Sequence, residues 1–201
     1  NDAWQDGAEN HDPETEGSWS ERKAIAQQAY HEWMPIRTGD DRGKIYRSFD
    51  FGALVSLHML DTRAIGRDEQ IDAEKLAGGD ADTIAAFSSP ERQLLGAEQT
   101  TWLQGQMQAS SATWQVLGQQ VLMARMEFPA SILGAIATSL EAGNEAVTAY
   151  LTARATPEGS RTPEQVALLD PTQNPLLGYN LDAWDGYVVA RETVLSTAKA
   201  L

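Results

Sequence analysis

Cysteine is absent from the 201-residue sequence, and histidine occurs only three times. Without thiols, residues 1–201 can form neither a disulfide framework nor a thiolate metal site, which is compatible with export and with the cytoplasm. No apolar run approaches the about 20 residues that a membrane-spanning helix needs. The patterns GxSxG, Walker A and GxGxxG are also missing, so a nucleophile elbow, a P-loop and a Rossmann site have no support in the sequence.

Positive charge is also scarce. The chain has 15 Lys and Arg against 29 Asp and Glu, which gives a formal net charge of −14. Such an acidic protein is a poor partner for nucleic acid or an anionic membrane, since both bind to basic surfaces. An anionic substrate would therefore need a local cation, either a metal ion or a few well-placed arginines.

Apolar and aromatic residues are plentiful. The hydrophobic content of 42% and the six Trp indicate a folded globule, long enough for one sizeable core or a large part of a bigger domain. Residues 1–17 differ from the rest, because they hold six acids and no Lys or Arg. They predict either a disordered acidic tail, in which Trp4 would be costly to leave in water, or a chain cut from a longer one.

Strand signals and helix signals alternate along the chain. Residues 44–49, 53–60 and 113–124 read as β-strands, and the largely apolar 53–60 is predicted to be buried on both faces. Helices are predicted at 18–34, about 97–109 and 130–154, with a final helix after Asp182 and Asp185, either of which could cap it. This alternation predicts an α/β fold, although three strands are few for a complete sheet in a chain of this length.

The aromatic residues at helical or strand spacing are predicted to belong to the core rather than to a binding platform: Tyr30, Trp33, Trp102 and Trp114. The histidines, His11, His31 and His58, show neither an HxH nor an HExxH spacing. We interpret them as surface residues or as hydrogen-bonded core residues rather than metal ligands. The residues alone therefore show no complete active site.

Two arginines follow predicted strands directly, Arg63 after 53–60 and Arg125 after 113–124. Ligand sites in α/β sheets form outside the carboxyl ends of the strands, so both are candidate contacts for an anionic substrate. The alternative for each is an ion pair at the rim of the sheet. For Arg63 the partner would be Asp61 or an acid from a neighbouring loop.

Six motifs occur together in an order and spacing that resemble the PhoD-like alkaline phosphatases: NDAWQDGAENH, AYHEWMPIR, KIYRSFDFGALVSLHMLDTR, LLGAEQTTWL, WQVLGQQVLMAR and YNLDAWDGY. The resemblance covers nearly the whole chain and is weaker over residues 64–89 and 130–177, which we interpret as variable excursions from a single domain. It implies a metallophosphatase fold, in which residues 1–201 are the central part of a four-layer α/β/β/α sandwich.

The resemblance also implies a function. It predicts a secreted or periplasmic hydrolase in which iron and calcium ions activate a water molecule to attack a phosphate ester, either a monoester or a diester. The expected partner is thus a phosphate-ester substrate, with no nucleic-acid-binding surface and no membrane span. The alternative is a non-catalytic scaffold or a module that binds a partner protein.

The family places its main metal-binding motifs on either side of this stretch. A WDDHE-type motif directly precedes NDAW, and the DAWDGY segment leads into a GDxH motif. We therefore expect residues 1–201 to be a middle section that is inactive by itself. By the same resemblance Asn1 is the candidate metal ligand within the chain, with Asp2 as the alternative.

Overall fold

The structure is a computed structural model that describes residues 7–8 and 11–201. It confirms the predicted α/β class. The helices are α1 (Pro13–Glu16), α2 (Trp19–Trp33), α3 (Ala73–Ala77), α4 (Ala81–Phe87), α5 (Gly96–Ala109), α6 (Ala130–Thr138), α7 (Leu140–Ala155), α8 (Pro163–Leu169) and α9 (Val188–Lys199). The strands are β1 (Arg47–Phe51), β2 (Val55–Met59), β3 (Trp114–Gly118), β4 (Glu127–Pro129) and β5 (Leu176–Gly178).

The main sheet has the strand order β1-β2-β3. A turn containing Gly52 at φ 59° joins β1 to β2 as an antiparallel pair, whereas β3 runs parallel to β2. A strand was expected over residues 113–124, but β3 ends at Gly118, so the prediction is wrong for the residues after it. A second, smaller sheet pairs β4 with β5 in antiparallel register.

One face of the main sheet packs against α5. Ser56 and His58 on this face are 2% and 1% exposed, and the His58 ring meets the edge of the Trp102 ring. His58 is hydrogen-bonded as predicted, through Nδ1 to the Ser48 hydroxyl at 2.7 Å and through Nε2 to the side-chain oxygen Oε1 of Gln115 at 3.3 Å.

The apolar core continues from α5 to α9 and the segment before it. Its buried members are Leu60, Leu94, Leu95, Leu103, Met107, Trp184, Tyr187 and Val194. This core lies next to the carboxyl ends of β2 and β3, because Leu60 directly follows β2 and donates its backbone N–H to the Gly118 carbonyl.

The other face of the sheet is exposed among the described residues, so the prediction that 53–60 is buried on both faces is wrong for this part of the chain. Phe49, Phe51, Trp114 and Val116 lie on this face and are 44–64% exposed. The alternation of β2 turns Leu57 toward the same face, where it is only partly buried. In a four-layer sandwich this apolar face is the one that a second sheet would cover.

Helix α2 also departs from its prediction. It begins as predicted at Ser18, whose side chain accepts a hydrogen bond from the Glu21 backbone N–H. Among the described residues, however, none in α2 is buried, with Tyr30 40% and Trp33 85% exposed. Tyr30 and Trp33 have the spacing of a buried helix face, but spacing does not determine whether another element packs on that face.

Two glycines set the path of the loop that follows β2. Gly66 and Gly96 have φ values of 69° and 76°, and their backbones touch where this loop meets the start of α5. A Cβ on Gly66 would lie 2.5 Å from the Gly96 Cα, which is too close for non-bonded carbon atoms. The loop can therefore approach α5 only without side chains at this crossing.

We expect Gly66→Ala to lower the free energy of unfolding by about 2–5 kcal/mol, because left-handed backbone strain adds to overpacking. Gly79→Ala is the matched control, since Gly79 also has a positive φ of 77° but has open space around it. It should cost only about 1–2 kcal/mol. Equal losses for the two variants in urea denaturation would contradict the close backbone crossing.

Candidate functional site

The carboxyl ends of β2 and β3 meet at one edge of the main sheet, because the two strands are parallel. Polar residues follow both strands at this edge. The Thr62 hydroxyl, after β2, donates a hydrogen bond to the Gln120 side-chain oxygen, after β3, at 2.7 Å. The neighbouring Gln119 accepts a hydrogen bond from the Trp184 indole N–H at 2.6 Å. The two strand ends and the segment before α9 are thus joined into one site.

Asp61 shapes the backbone of this site. It is fully buried, and its Oδ1 accepts hydrogen bonds from the backbone N–H groups of Arg63 and Ala64, both at 2.8 Å. The Gln99 side chain in α5 accepts from the Asp61 N–H and donates to the Asp61 carbonyl, again at 2.8 Å. Asp61 therefore fixes the turn that aims Arg63, but it is not the ion-pair partner of the Arg63 guanidinium.

That partner is Asp182, an acid from the loop before α9. The Arg63 guanidinium donates to both Asp182 carboxylate oxygens, Nη1 to Oδ1 at 2.7 Å and Nη2 to Oδ2. Such a fork is the strongest geometry for an arginine–carboxylate pair, and its hydrogen bonds raise the pKa of Arg63. The side chains of Arg63 and Asp182 are 35% and 26% exposed, so the pair lies at the surface of the protein but is not fully solvated.

The expected helix-capping roles of Asp182 and Asp185 are wrong. Helix α9 begins without a side-chain cap. Asp185 instead accepts a hydrogen bond from the Met126 backbone N–H at 3.1 Å and lies 3.5 Å from the buried Arg191 guanidinium. It thereby connects the segment leading into β4 to α9, which is a structural role.

A second arginine, Arg67, contacts the same carboxylate from inside the protein. Its side chain is 1% exposed, and its Nη2 donates to Asp182 Oδ1 at 2.7 Å and to the Asp182 carbonyl at 2.9 Å. Its Nη1 donates to the Thr62 carbonyl at 3.1 Å. Burial lowers the pKa of Arg67, although an arginine keeps its charge under all ordinary conditions.

Tyr187 supports Arg67 through its aromatic ring. The guanidinium carbons of Arg67 and Arg92 lie 4.9 Å and 4.4 Å from the ring centroid, which are favourable cation–π distances. The Tyr187 hydroxyl donates to the Asp68 carbonyl at 2.8 Å, and burial raises the pKa of this phenol. Tyr187 is therefore a neutral aromatic platform for two buried cations.

Arg67 is not among the predicted site residues, since it lies within the segment 64–89, which the sequence indicates to be a variable excursion. The structure buries both Arg67 and Ile71 from this segment. The only signal available was the position of an arginine four residues after Arg63 in an otherwise acidic stretch.

We name Arg63, Arg67 and Asp182 the Asp182 cluster.

The Asp182 cluster carries one surplus positive charge, from two guanidinium groups and one carboxylate. Partial burial acts to raise the pKa of Asp182, but the hydrogen bond from Arg63 and the charges of both arginines outweigh it and hold this pKa below its ordinary value of 3.8. The carboxylate is therefore ionised at neutral pH. Arg67 alone can balance its charge, which leaves the more exposed Arg63 able to contact an additional anion.

The other predicted site residues lie elsewhere. Arg125 is 57% exposed and forms ion pairs of 3.5 Å and 3.3 Å with Glu127 and Glu192, neither of which belongs to the Asp182 cluster. Its proposed contact with substrate stays a prediction. Asn1 and Asp2 lie outside the described residues.

The described residues do not fit a metal centre by themselves. Within residues 7–8 and 11–201, no group of three His, Asp or Glu side chains could hold a metal ion. His31 and His58 are engaged with protein groups, His31 with the Gln27 carbonyl at 2.8 Å and the Thr38 hydroxyl at 3.1 Å. What this part of the chain supplies is a cationic cluster at the strand ends.

A mixed α/β fold with a cationic cluster beyond the carboxyl ends of parallel strands is typical of the proteins that bind small anionic ligands. The family model of the PhoD-like phosphatases matches residues 1–201. The chain therefore belongs to the PhoD-like phosphatase family, as its motifs predicted.

Two relatives agree with this assignment. Alkaline phosphatase D of Bacillus subtilis (strain 168) is 30% identical over 184 residues, which cover 89% of this chain and 23% of that protein. A solved structure described as the structure of PhoD is 27% identical, with a TM-score of 0.57, and the match covers 96% of this chain and 28% of that one. The chain thus spans about a quarter of the length of each relative. Among the described residues, no helix has both the length and the apolar character to cross a membrane.

We expect Asp182→Asn to lower the free energy of unfolding by about 2–4 kcal/mol at neutral pH, between the values for exposed and buried ion pairs, because Arg67 loses its counter-charge. Glu192→Gln is the control, since it removes an acid that is 57% exposed from its ion pairs and should cost less than about 1 kcal/mol. Denaturant unfolding at pH 7 gives both values.

The effect of Asp182→Asn should depend on pH. Because the folded-state pKa of Asp182 is lowered, its ionic contribution to stability is complete above the ordinary value of 3.8 and is lost as the pH falls through the folded-state value. The stability difference between wild type and variant should therefore shrink below about pH 4. A difference that stays constant down to pH 2 would show that the carboxylate charge is not what stabilises the cluster.

Proposed function

We propose that this protein hydrolyses phosphate esters and that Arg63 contacts the phosphate group. The observation that carries the proposal is the surplus positive charge of the Asp182 cluster at the carboxyl ends of β2 and β3. Membership of the PhoD-like phosphatase family supports the reaction class. In a chain with a net charge of −14, such a local surplus is what an anionic substrate requires.

Each member of the Asp182 cluster has a separate role in this proposal. Arg67 and the Asp61 turn hold the cluster in place, since both are buried. Asp182 orients the Arg63 guanidinium through a two-point contact. Arg63 then offers to phosphate oxygens the N–H donors that its two contacts with Asp182 leave unused, which lysine, without a planar set of five donors, cannot reproduce.

We further propose that the enzyme is exported and depends on metal ions, iron and calcium by resemblance to the family. Bound metal ions would polarise the phosphate and lower the pKa of a water molecule for attack on phosphorus. We assign no ligand of such ions within residues 7–8 and 11–201, because these residues form no suitable cluster. The ligands would belong to the WDDHE-type and GDxH motifs that the resemblance implies, with Asn1 or Asp2 beside them.

Residues 1–201 alone should therefore be inactive. We expect the purified chain to hydrolyse p-nitrophenyl phosphate no faster than buffer does, with or without added Fe³⁺ and Ca²⁺. The polypeptide encoded by the whole gene, assayed in parallel, is the positive control. Metal-dependent turnover by residues 1–201 would refute the proposal that the ligands lie in those flanking motifs.

We expect Arg63→Lys, made in the polypeptide that the whole gene encodes, to lower kcat/KM at least about tenfold, which corresponds to about 1.4 kcal/mol. The melting temperature should change little, because Arg67 still balances Asp182. Arg42→Lys is the matched control, since it keeps the same charge at an exposed arginine for which no contact with the phosphate is predicted. A lowered melting temperature with unchanged kinetics of the folded fraction would make Arg63 a structural residue only.

A further inference from the structure

A recess of about 310 Å³ lies in the segment between α2 and β1. Residues 35–46 of this segment form no helix or strand. The charged and aromatic residues that line the recess are Arg37, Asp40, Asp41, Lys44, Tyr46 and Arg47. A volume of this size is at the lower end of the range for small-molecule sites.

The recess opens at the same edge of the sheet as the Asp182 cluster. Arg47, at the start of β1, pairs with Met59, at the end of β2, because the two strands are antiparallel. The first turn of α5 contacts both the lining of the recess and the Asp61 turn that carries Arg63. Glu98 accepts hydrogen bonds from Lys44 and Tyr46 at 2.8 Å, while the adjacent Gln99 binds the Asp61 backbone.

This segment has a surplus of positive charge that is unusual in the chain. Residues 37–47 contain four of the 15 Lys and Arg, with only two acids. Three of the four cations line the recess, together with both acids. One of these acids, Asp41, has one carboxylate oxygen engaged, since its Oδ1 accepts a hydrogen bond from the Gly43 backbone N–H at 2.8 Å. The lining itself has one net positive charge, but Glu98 outside it pairs with Lys44 and offsets this charge. Arg37 and Arg47 are therefore the cations in the lining that face an anion without a carboxylate partner among the described residues.

Two of the cations are held in position. The Lys44 ammonium lies 2.8 Å from Glu98 and 4.8 Å from the centroid of the Tyr46 ring. The Arg47 Nη1 donates to the Ile45 carbonyl at 2.7 Å, and its guanidinium lies 5.4 Å from the Phe49 ring centroid. Fixing these long side chains in advance removes part of the entropy cost of binding a ligand.

The third cation, Arg37, has its donors available. It is exposed, and within the described part of the chain no hydrogen bond or ion pair engages its guanidinium. A guanidinium without a carboxylate partner can bind an oxyanion through two parallel N–H groups. The recess thus combines two oriented cations with an arginine fork that no described residue engages.

We infer that the recess binds a second oxyanion of the substrate, a phosphate or a carboxylate, while the reacting phosphate lies at Arg63. This inference rests on the proposed function. It assigns Arg37, Lys44 and Arg47 to substrate selection rather than to the reaction. The reason is that the recess contacts Glu98, whereas the turn that carries Arg63 contacts Gln99, the next residue of α5. The preferred substrates would be anionic at both ends.

The test uses the polypeptide that the whole gene encodes, with Arg37→Gln and Arg42→Gln as matched variants. Both arginines are exposed in the same loop and both changes remove one charge, but only Arg37 lines the recess. Phosphate release is measured from α,ω-alkanediol bisphosphates of increasing length, from ω-carboxyalkyl phosphates and from the matching alkyl monophosphates. Unchanged melting temperatures verify that the variants are folded.

At one or more chain lengths, wild type and Arg42→Gln should prefer a doubly anionic substrate about tenfold in kcat/KM, the effect expected of one charge-assisted hydrogen bond. Arg37→Gln should lose this preference and keep its activity on alkyl monophosphates. The carboxylate series shows which oxyanion the recess favours. Hydrolysis without such a preference at any length, or an equal loss in both variants, would overturn the inference alone. No hydrolysis of any substrate by the wild type would overturn the proposed function, and the inference with it.

Discussion

The carboxylate of Asp182 is the group on which the described site depends. It joins the loop after β2 to the loop before α9, across 119 positions of the sequence, through its fork with Arg63. It also provides the counter-charge for the buried Arg67. A buried guanidinium without a carboxylate is strongly destabilising, so the path of both loops is tied to this one side chain.

The two arginines that bind Asp182 differ in exposure, since Arg67 is buried and Arg63 is partly exposed. Arg67 lies beneath the surface on the Tyr187 ring and holds Asp182 in place, and both Arg63 and Arg67 lower the pKa of that carboxylate. Arg63 is partly exposed and is oriented by the same carboxylate, yet Arg67 alone is enough to balance the negative charge of Asp182. A protein with a net charge of −14 can thus place a partly exposed positive group at its surface without becoming basic overall.

The first turn of α5 relates this cluster to the rest of the sheet edge. Gln99 fixes Asp61, the crossing of Gly66 with Gly96 sets how closely the loop approaches, and Glu98 holds Lys44. The opposite face of the sheet remains apolar and exposed in the part described.

The sequence by itself determined the α/β class, the family, the start of α2 and the position of Arg63 at a strand end, because these depend on signals within a few residues or on ordered motifs. Tertiary structure alone decided that Asp182 binds two arginines instead of capping α9, that Arg67 is buried and that Trp33 is exposed. Capping and periodicity are local properties, whereas burial and ion pairing depend on which distant segment packs nearby. A contact across 119 positions leaves no trace in the residues around either partner.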